Sequence, residues 1–207
     1  MLARECIPYL ALLALLSLIL YILKPLLAIP PLLVLLFVIF FFRNPPRQIT
    51  PNANHILSAA DGTVQSIQEI QEDTFIKGRA IKISVFLSLF NVHINRSPLS
   101  GRITYTSYRP GKYLPAFKSH ASEINERNTL GIENEYTKVL VHQITGFVAR
   151  RIVFYNRKGD YLEQGQVFGL IKFGSCTEII VPASTQITVQ TGQKVQAGIT
   201  VIGVVKK

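Results

Sequence analysis

The sequence predicts a mostly β protein, an antiparallel barrel or sandwich, carried behind an N-terminal helical membrane hairpin. Three observations predict it. Residues 7–42 are almost wholly apolar. From residue 62 on, short apolar runs alternate with Gly and Pro at a spacing of about 8–12 residues, the mark of a sandwich or barrel. A glycine-framed segment also occurs twice, near residues 158–171 and 191–205.

The anchor comes first in the chain. "IPYLALLALLSLILYIL" and "LLAIPPLLVLLFVIFFF" are separated by Lys24 and Pro25. A signal peptide has an apolar core of about 7–15 residues and a small-residue cleavage site. This segment is longer, and no Ala-x-Ala site follows it. Each half is about 25 Å long as a helix, close to the ~30 Å of a bilayer core. The favoured reading is a tight hairpin turning at Lys24 and Pro25; one span plus an interfacial helix is the other. In a hairpin Arg4, Arg43 and Arg47 fall on one side, which the positive-inside rule makes cytoplasmic. The expected location is the cell (inner) membrane, with the globular part in the cytoplasm.

The domain reading is an anchor over 1–42, a Pro- and Asn-rich linker over 43–54 and a β-rich catalytic domain over 55–207. The strands are read at "GTVQSIQEI", "RAIKISVFL", "GRITYTSY", "TKVLVHQI", "GFVARRIVFY", "QVFGLIKF", "TEIIVP", "TQITVQ" and "ITVIGVV". Residues 115–136 break the pattern and read as a long loop with a short helix in 119–128, functional rather than decorative. The echoed segments both run Gly-polar-x-apolar-x-x-Gly into a strand, so each needs glycines at φ > 0. This is the pattern of a biotinyl/lipoyl-like hammerhead, with "AADGTVQSI" and "ITGFVARRI" as the matching Gly-x-Val strands. No modifiable lysine stands at the hairpin tip. Gly174-Ser175-Cys176 stands between the two echoes instead.

Charge and cysteines narrow the partners. Lys and Arg number 22 against 12 Asp and Glu, a net +10. That suits an anionic surface. No basic-aromatic motif points to nucleic acid, so the expected surface is anionic lipid. Two cysteines, Cys6 and Cys176, do not make a disulfide framework. There is no Cys-x-x-Cys, no His-x-x-x-His and no carboxylate cluster, so no metal is expected.

A serine is no nucleophile at neutral pH without a base, and the base needs an orienter. Of four histidines, His93 ends a buried run beside Arg96. His55 and His142 read as structural. Asp61, in an Asp-Gly pair, reads as a turn unless a site claims it.

Six segments carry a resemblance: "FFRNPPR" (41–47), "ILSAADGTV" (56–64), "VFLSLFNVHINRSPLSGRI" (85–103), "HASEINERN" (120–128), "ITGFVARRI" (144–152) and "FGSCTEIIVP" (173–182). In this order the chain resembles the phosphatidylserine decarboxylase proenzymes of the short bacterial and archaeal type. The resemblance implies self-cleavage between Gly174 and Ser175, giving a β chain of 1–174 and an α chain of 175–207. The serine oxygen attacks the preceding carbonyl, and β-elimination leaves a pyruvoyl group at Ser175. It implies an Asp61, His93 and Ser175 triad, a Schiff base between the pyruvoyl group and phosphatidylserine as electron sink, and a homodimer. Arg96, Arg150 and Arg151 are the candidates for the lipid phosphate. Three positions depart from the family pattern: Asn44 for Asp, His120 for Lys, and Cys176 for Arg or Thr. The competing class is a membrane-anchored lipoyl-like adaptor without chemistry. A Ser-His-Asp hydrolase lacks its nucleophile-elbow motif here. The residues do not distinguish a diacyl from an archaeal ether lipid.

Overall fold

The structure is a computed structural model that describes residues 1–112, 114, 124–146, 151–172 and 175–205. The chain divides into two compact units, residues 1–46 and 47–207.

The first unit is a pair of helices, α1 (Ile7–Leu23) and α2 (Ile29–Phe41), with a short 3-10 turn ahead of each. A residue before proline is pushed out of the helical region, and Lys24 is extended at φ −161°, ψ 116°. That break, followed by Pro25, turns the chain. The ends meet: the Ala3 amide donates to Phe42 O at 2.9 Å and the Asn44 amide to Met1 O at 2.8 Å. The favoured hairpin is therefore the observed one. The stretch Arg4–Leu23 is long and apolar enough to cross a membrane, and Pro25–Phe41 is shorter. No residue of α1 is buried within the unit. Ser17 satisfies its hydroxyl on Leu13 O at 2.7 Å, as a polar side chain on an apolar helix must. These features suit membrane association.

The second unit is built mainly of β-strands among its described residues. Its strands are β1 (His55–Leu57), β2 (Gly62–Glu72), β3 (Gly78–Leu87), β4 (Ile94–Arg96), β5 (Gly101–Arg109), β6 (Arg127–Glu133), β7 (Lys138–Thr145), β8 (Arg151–Phe154), β9 (Tyr161–Leu162), β10 (Val167–Lys172), β11 (Ser175–Pro182), β12 (Gln186–Ile187), β13 (Lys194–Val195) and β14 (Val201–Val204). An eight-stranded antiparallel sheet, ordered β13-β2-β3-β11-β7-β6-β5-β9, curls into half a barrel. Two three-stranded sheets, β1-β14-β12 and β4-β10-β8, accompany it. The main core holds Ile83, Leu87, Ile103, Leu130, Phe168, Ile179 and Ile202, all fully buried.

The sheet order reads the same from both ends once two seven-strand units are equated: β1, β2, β3, β11, β12, β13, β14 with β4 through β10 in order. Hydrogen bonds repeat with it. Ser58 Oγ donates to Ala60 O, and Ser97 Oγ to Leu99 O. The Gly198 amide donates to Ser58 O, and the Gly165 amide to Ser97 O. Bulges fall between Val64 and Ser66 and between Ile103 and Tyr105. The echoed glycines Gly159, Gly165, Gly192 and Gly198 all have positive φ, +100°, +78°, +88° and +73°, the conformation that a side chain penalises. The strand matching Gly62 to Val64 is that of Gly101 to Ile103, not the one after Gly146 that the sequence suggested.

Residues 127–133, read from sequence as part of a long loop, form β6. Burial does not alternate there: every residue from Asn128 to Ile132 is buried. Asn128, Thr129 and Gly131 interrupt the apolar run that a strand buried on both faces otherwise shows, and at Gly131 the Phe75 ring lies 2.7 Å from where a Cβ would stand. Residues 119–123 of the expected helix lie outside the described residues. The segment after the anchor has no helix or strand up to β1, yet from Arg47 it is tied to the β unit. Ile49 packs on Gly165 and Gly198, and the Asn52 amide donates to Gln164 Oε1 at 2.8 Å.

Candidate active site

Ser175 is the first residue of β11 and is laddered on both sides, to Leu87 of β3 and Thr145 of β7. Phe173 and Gly174 lie outside the described residues. β10 arrives at this point, and its Ile171 amide donates to His93 O at 3.2 Å. The pairing of β4 with β10 therefore carries His93 to the end of the unit where β11 begins. The ring is 98% buried with the rest of its residue. Its Nδ1 lies 3.0 Å from Asn91 O. A carbonyl can only accept, so Nδ1 carries the hydrogen and Nε2 is the basic nitrogen of the neutral ring. The turn presenting Asn91 is itself fixed: Asn91 Oδ1 accepts from the Ser88 amide at 2.9 Å and the Ser88 hydroxyl at 2.7 Å.

Asp61 belongs to a different cluster. Its Oδ2 pairs with Arg47 Nη2 at 2.7 Å and its Oδ1 accepts the Ala197 amide at 2.7 Å. Those are its hydrogen-bond partners among the described residues, so the expected direct link from Asp61 to His93 is not made. Among the described residues, the group that meets His93 Nδ1 is the Asn91 carbonyl. Across the sheet, Asp61 precedes β2 and Ser175 opens β11, with β3 between; two strand spacings are about 10 Å. Arg96 sits with Asp61 and Arg47. Its Nη1 donates to Gly165 O at 3.1 Å. Burial draws its pKa down, Arg47 adds to this and Asp61 opposes it; a guanidinium stays charged through such shifts.

A buried chain of amides joins the two clusters. Asn128 Nδ2 donates to Gln143 Oε1 at 2.8 Å, and Gln143 Nε2 to Asn95 Oδ1 at 2.9 Å. Asn95 Nδ2 reaches Thr177 Oγ1 at 3.1 Å and Ala59 O at 3.2 Å. Every member is paired, which makes such a network rigid rather than costly.

Next to Thr145 lie two further residues that sequence reasoning missed. Asn125, fully buried, donates to Thr145 O and Leu114 O, each at 2.7 Å, and accepts the Leu114 amide at 2.8 Å. Glu126, 6% exposed, accepts Tyr108 OH on Oε1 at 3.0 Å, while its buried Oε2 has no hydrogen-bond partner among the described residues. An orphaned buried carboxylate oxygen is rare in folded proteins and costs stability. Both lie just ahead of β6, in a stretch with no periodicity, so no sequence signal marked them.

Of the other expected residues, Arg151 is exposed at the start of β8, opposite Lys172. His120 and Arg150 lie outside the described residues. His142 is buried in β7 and bonds Thr129 Oγ1 at 2.9 Å. His55 opens β1. Both cysteines are free. Cys176 is buried, which pushes its thiol far above the usual range, with Glu178 adding to the effect. It is an inert neutral thiol. No group of three or more metal-ligating side chains occurs among the described residues.

The described residues thus offer a serine that opens a central strand and a buried histidine whose Nδ1 meets a backbone carbonyl, on a β unit that follows an apolar helical unit. A family model for phosphatidylserine decarboxylase matches residues 34–203. The chain belongs to the phosphatidylserine decarboxylase family. It is 58% identical over 175 residues to a phosphatidylserine decarboxylase proenzyme of Carboxydothermus hydrogenoformans, covering 84% of this chain and 82% of that one. It is 48% identical over 169 residues to the proenzyme of Symbiobacterium thermophilum, covering 81% and 79%. Against the proenzyme of Syntrophus aciditrophicus identity is 40% over 204 residues, 97% and 96% of the two chains. The non-catalytic adaptor has no support in these likenesses.

Proposed function

We propose that the protein is a membrane-associated, self-processing decarboxylase that converts phosphatidylserine to phosphatidylethanolamine and CO2. The observation that carries the reading is the position of Ser175, first in a strand laddered on both sides, at the end of the β unit to which β10 brings His93. In maturation, His93 Nε2 takes the Ser175 hydroxyl proton while the oxygen adds to the Gly174 carbonyl carbon. The C–N bond breaks, the nitrogen receives the proton, and the amide becomes an ester. Removal of the Ser175 Cα proton then expels the Gly174 carboxylate. The enamine left on residue 175 takes up water and releases ammonia, which leaves a ketone.

The residues fit such a pyruvoyl group, because the ladders to Leu87 and Thr145 fix residue 175 without help from upstream chain. Once formed, the pyruvoyl group serves as an electron sink for the pair left when CO2 departs. His93 Nε2 then returns a proton to the headgroup carbon. Arg151 and Arg150 meet the lipid phosphate; Arg96 is engaged by Gly165 O and packed with Asp61 and Arg47. Asp61 acts on the site at a distance, by holding Arg47 and the turn between β13 and β14. The lipid site faces the cytoplasmic side of the inner membrane, in line with Arg4 and Arg43 flanking the hairpin, and the family resemblance adds a homodimer.

Denaturing mass spectrometry of the purified protein tests this. Two fragments, 1–174 and 175–207, are expected, the second with a blocked N-terminus, together with CO2 release from detergent-dispersed phosphatidylserine. A single uncut chain that still releases CO2 would sink the assignment of Ser175.

A further inference from the structure

The end of the β unit where Ser175 begins β11 has an unusual surface. The loop between β3 and His93 carries Phe90, which is 72% exposed. Across the site, Ile124 is 40% exposed and Tyr108 60% exposed. Both are fixed to the same end. Ile124 O accepts the Lys112 amide at 2.8 Å, and the next residue, Asn125, holds Thr145, the ladder partner of Ser175. Exposed apolar side chains grouped at one end of a unit mark an interaction surface. The exposed charges at this end are of one sign among the described residues. Lys112 and Arg151 are exposed and Arg109 is half-exposed, while the acids there, Asp61 and Glu126, are buried. Exposed acids gather instead at the opposite turns, as at Asp73, Glu133 and Glu135.

We propose that this rim, with Phe90 and Ile124 as apolar wedges and Lys112, Arg109 and Arg151 as cations, docks on an anionic lipid bilayer and delivers the site to the headgroup layer. Apolar insertion and attraction to anionic lipid add in such contacts. The rim belongs to the β unit, residues 47–207, at the end where Ser175 begins β11. It rests on the reading of the protein as a lipid-acting enzyme, and it names the face that meets the lipid.

The chain has no tryptophan, so a single introduced indole reports one place. Phe90→Trp is made in the full chain and reconstituted into phosphatidylcholine vesicles with and without phosphatidylglycerol, the acyl chains brominated in a parallel set. Tyr136→Trp is the control. It lies on the turn after β6, about 23 Å along the strand from the Ser175 end, and is 51% exposed. The expected result is a blue-shifted Phe90→Trp emission that bromine quenches, more with phosphatidylglycerol and less in high salt, and a Tyr136→Trp emission that does neither. Emission of a water-exposed indole at position 90, or quenching no greater than at position 136, overturns the proposal. So does a blue shift without bromine quenching that grows with protein density, which would mean that a second copy covers the rim. Ile124→Trp repeats the measurement should Phe90→Trp fail to fold. Decarboxylation by the same samples is read separately, so a protein that docks without turnover tells against the proposed reaction and not against the rim.

Discussion

The carbonyl oxygen of Asn91 lies 3.0 Å from Nδ1 of His93. This contact leaves Nε2 as the basic nitrogen, and it comes from a turn that Asn91 itself pins to Ser88. His93→Gln cannot take a proton. It is expected to slow cleavage between Gly174 and Ser175 by the 10²–10⁴-fold typical of a lost general base, with little change in melting temperature. Asn91→Ala keeps the carbonyl but frees the turn, and should slow cleavage by roughly ten- to a hundred-fold through misplacement alone. Time courses by denaturing mass spectrometry, beside melting curves, decide. Wild-type cleavage in well-folded His93→Gln removes the ring from maturation.

The ion pair of Arg47 and Asp61 has each side chain 11% exposed. Removing one partner leaves the other charge poorly solvated. Arg47→Ala should cost about 1–3 kcal/mol, or a fall in Tm of roughly 2–10 °C. If Asp61 acts through Arg47, Asp61→Asn and Arg47→Ala together should cost little more than either alone. Additive losses, or a maturation defect in Asp61→Asn at unchanged Tm, would give Asp61 a task of its own.

Glu126 makes the opposite prediction about stability. Its Oε2 is buried without a partner among the described residues, so Glu126→Gln keeps an acceptor for Tyr108 and loses a poorly solvated charge. Tm should hold or rise, while decarboxylation falls by an order of magnitude or more, the trade expected where a site stores an unsatisfied group. A drop in Tm at full activity would make Glu126 a structural residue.

His142 sets a pH limit. Burial, chiefly, lowers its pKa from 6.5 to about 3; Arg127, Lys82 and Arg109 add to this and Glu72 opposes it. The folded state therefore keeps the ring neutral while the unfolded chain takes up a proton below pH 6.5. Stability is complete above that pH and is lost as pH falls toward 3, by at most about 1.4 kcal/mol per pH unit. His142→Gln should flatten the Tm profile between pH 6.5 and 4, and an unchanged slope would assign it to other groups.

Much of this was legible in the sequence. The anchor announced itself by unbroken apolar length, most strands by turn residues at regular spacing, and the internal repeat by glycines that all adopt positive φ. Strand β6 was not, because it is buried on both faces yet carries Asn128, Thr129 and Gly131 where a continuous apolar run would mark it. Nor was the partner of Asp61. Arg47 sits in a segment with no periodicity, and only the packing of Ile49 on two turns from different halves brings it there. The setting of His93 depends on a backbone carbonyl, a group every residue has and no motif records.

The two seven-strand units are threaded unequally. One, β4 to β10, is continuous in sequence; the other is divided around it, with β1 to β3 before and β11 to β14 after. A break ahead of Ser175 thus falls at a seam between halves of one architectural unit. β11 stays clasped between β3 and β7, β13 beside β2, and β14 between β1 and β12. The two polypeptides after such a break would be mutual templates, each supplying the edges that the other must pair. Separation would then require unfolding rather than dissociation.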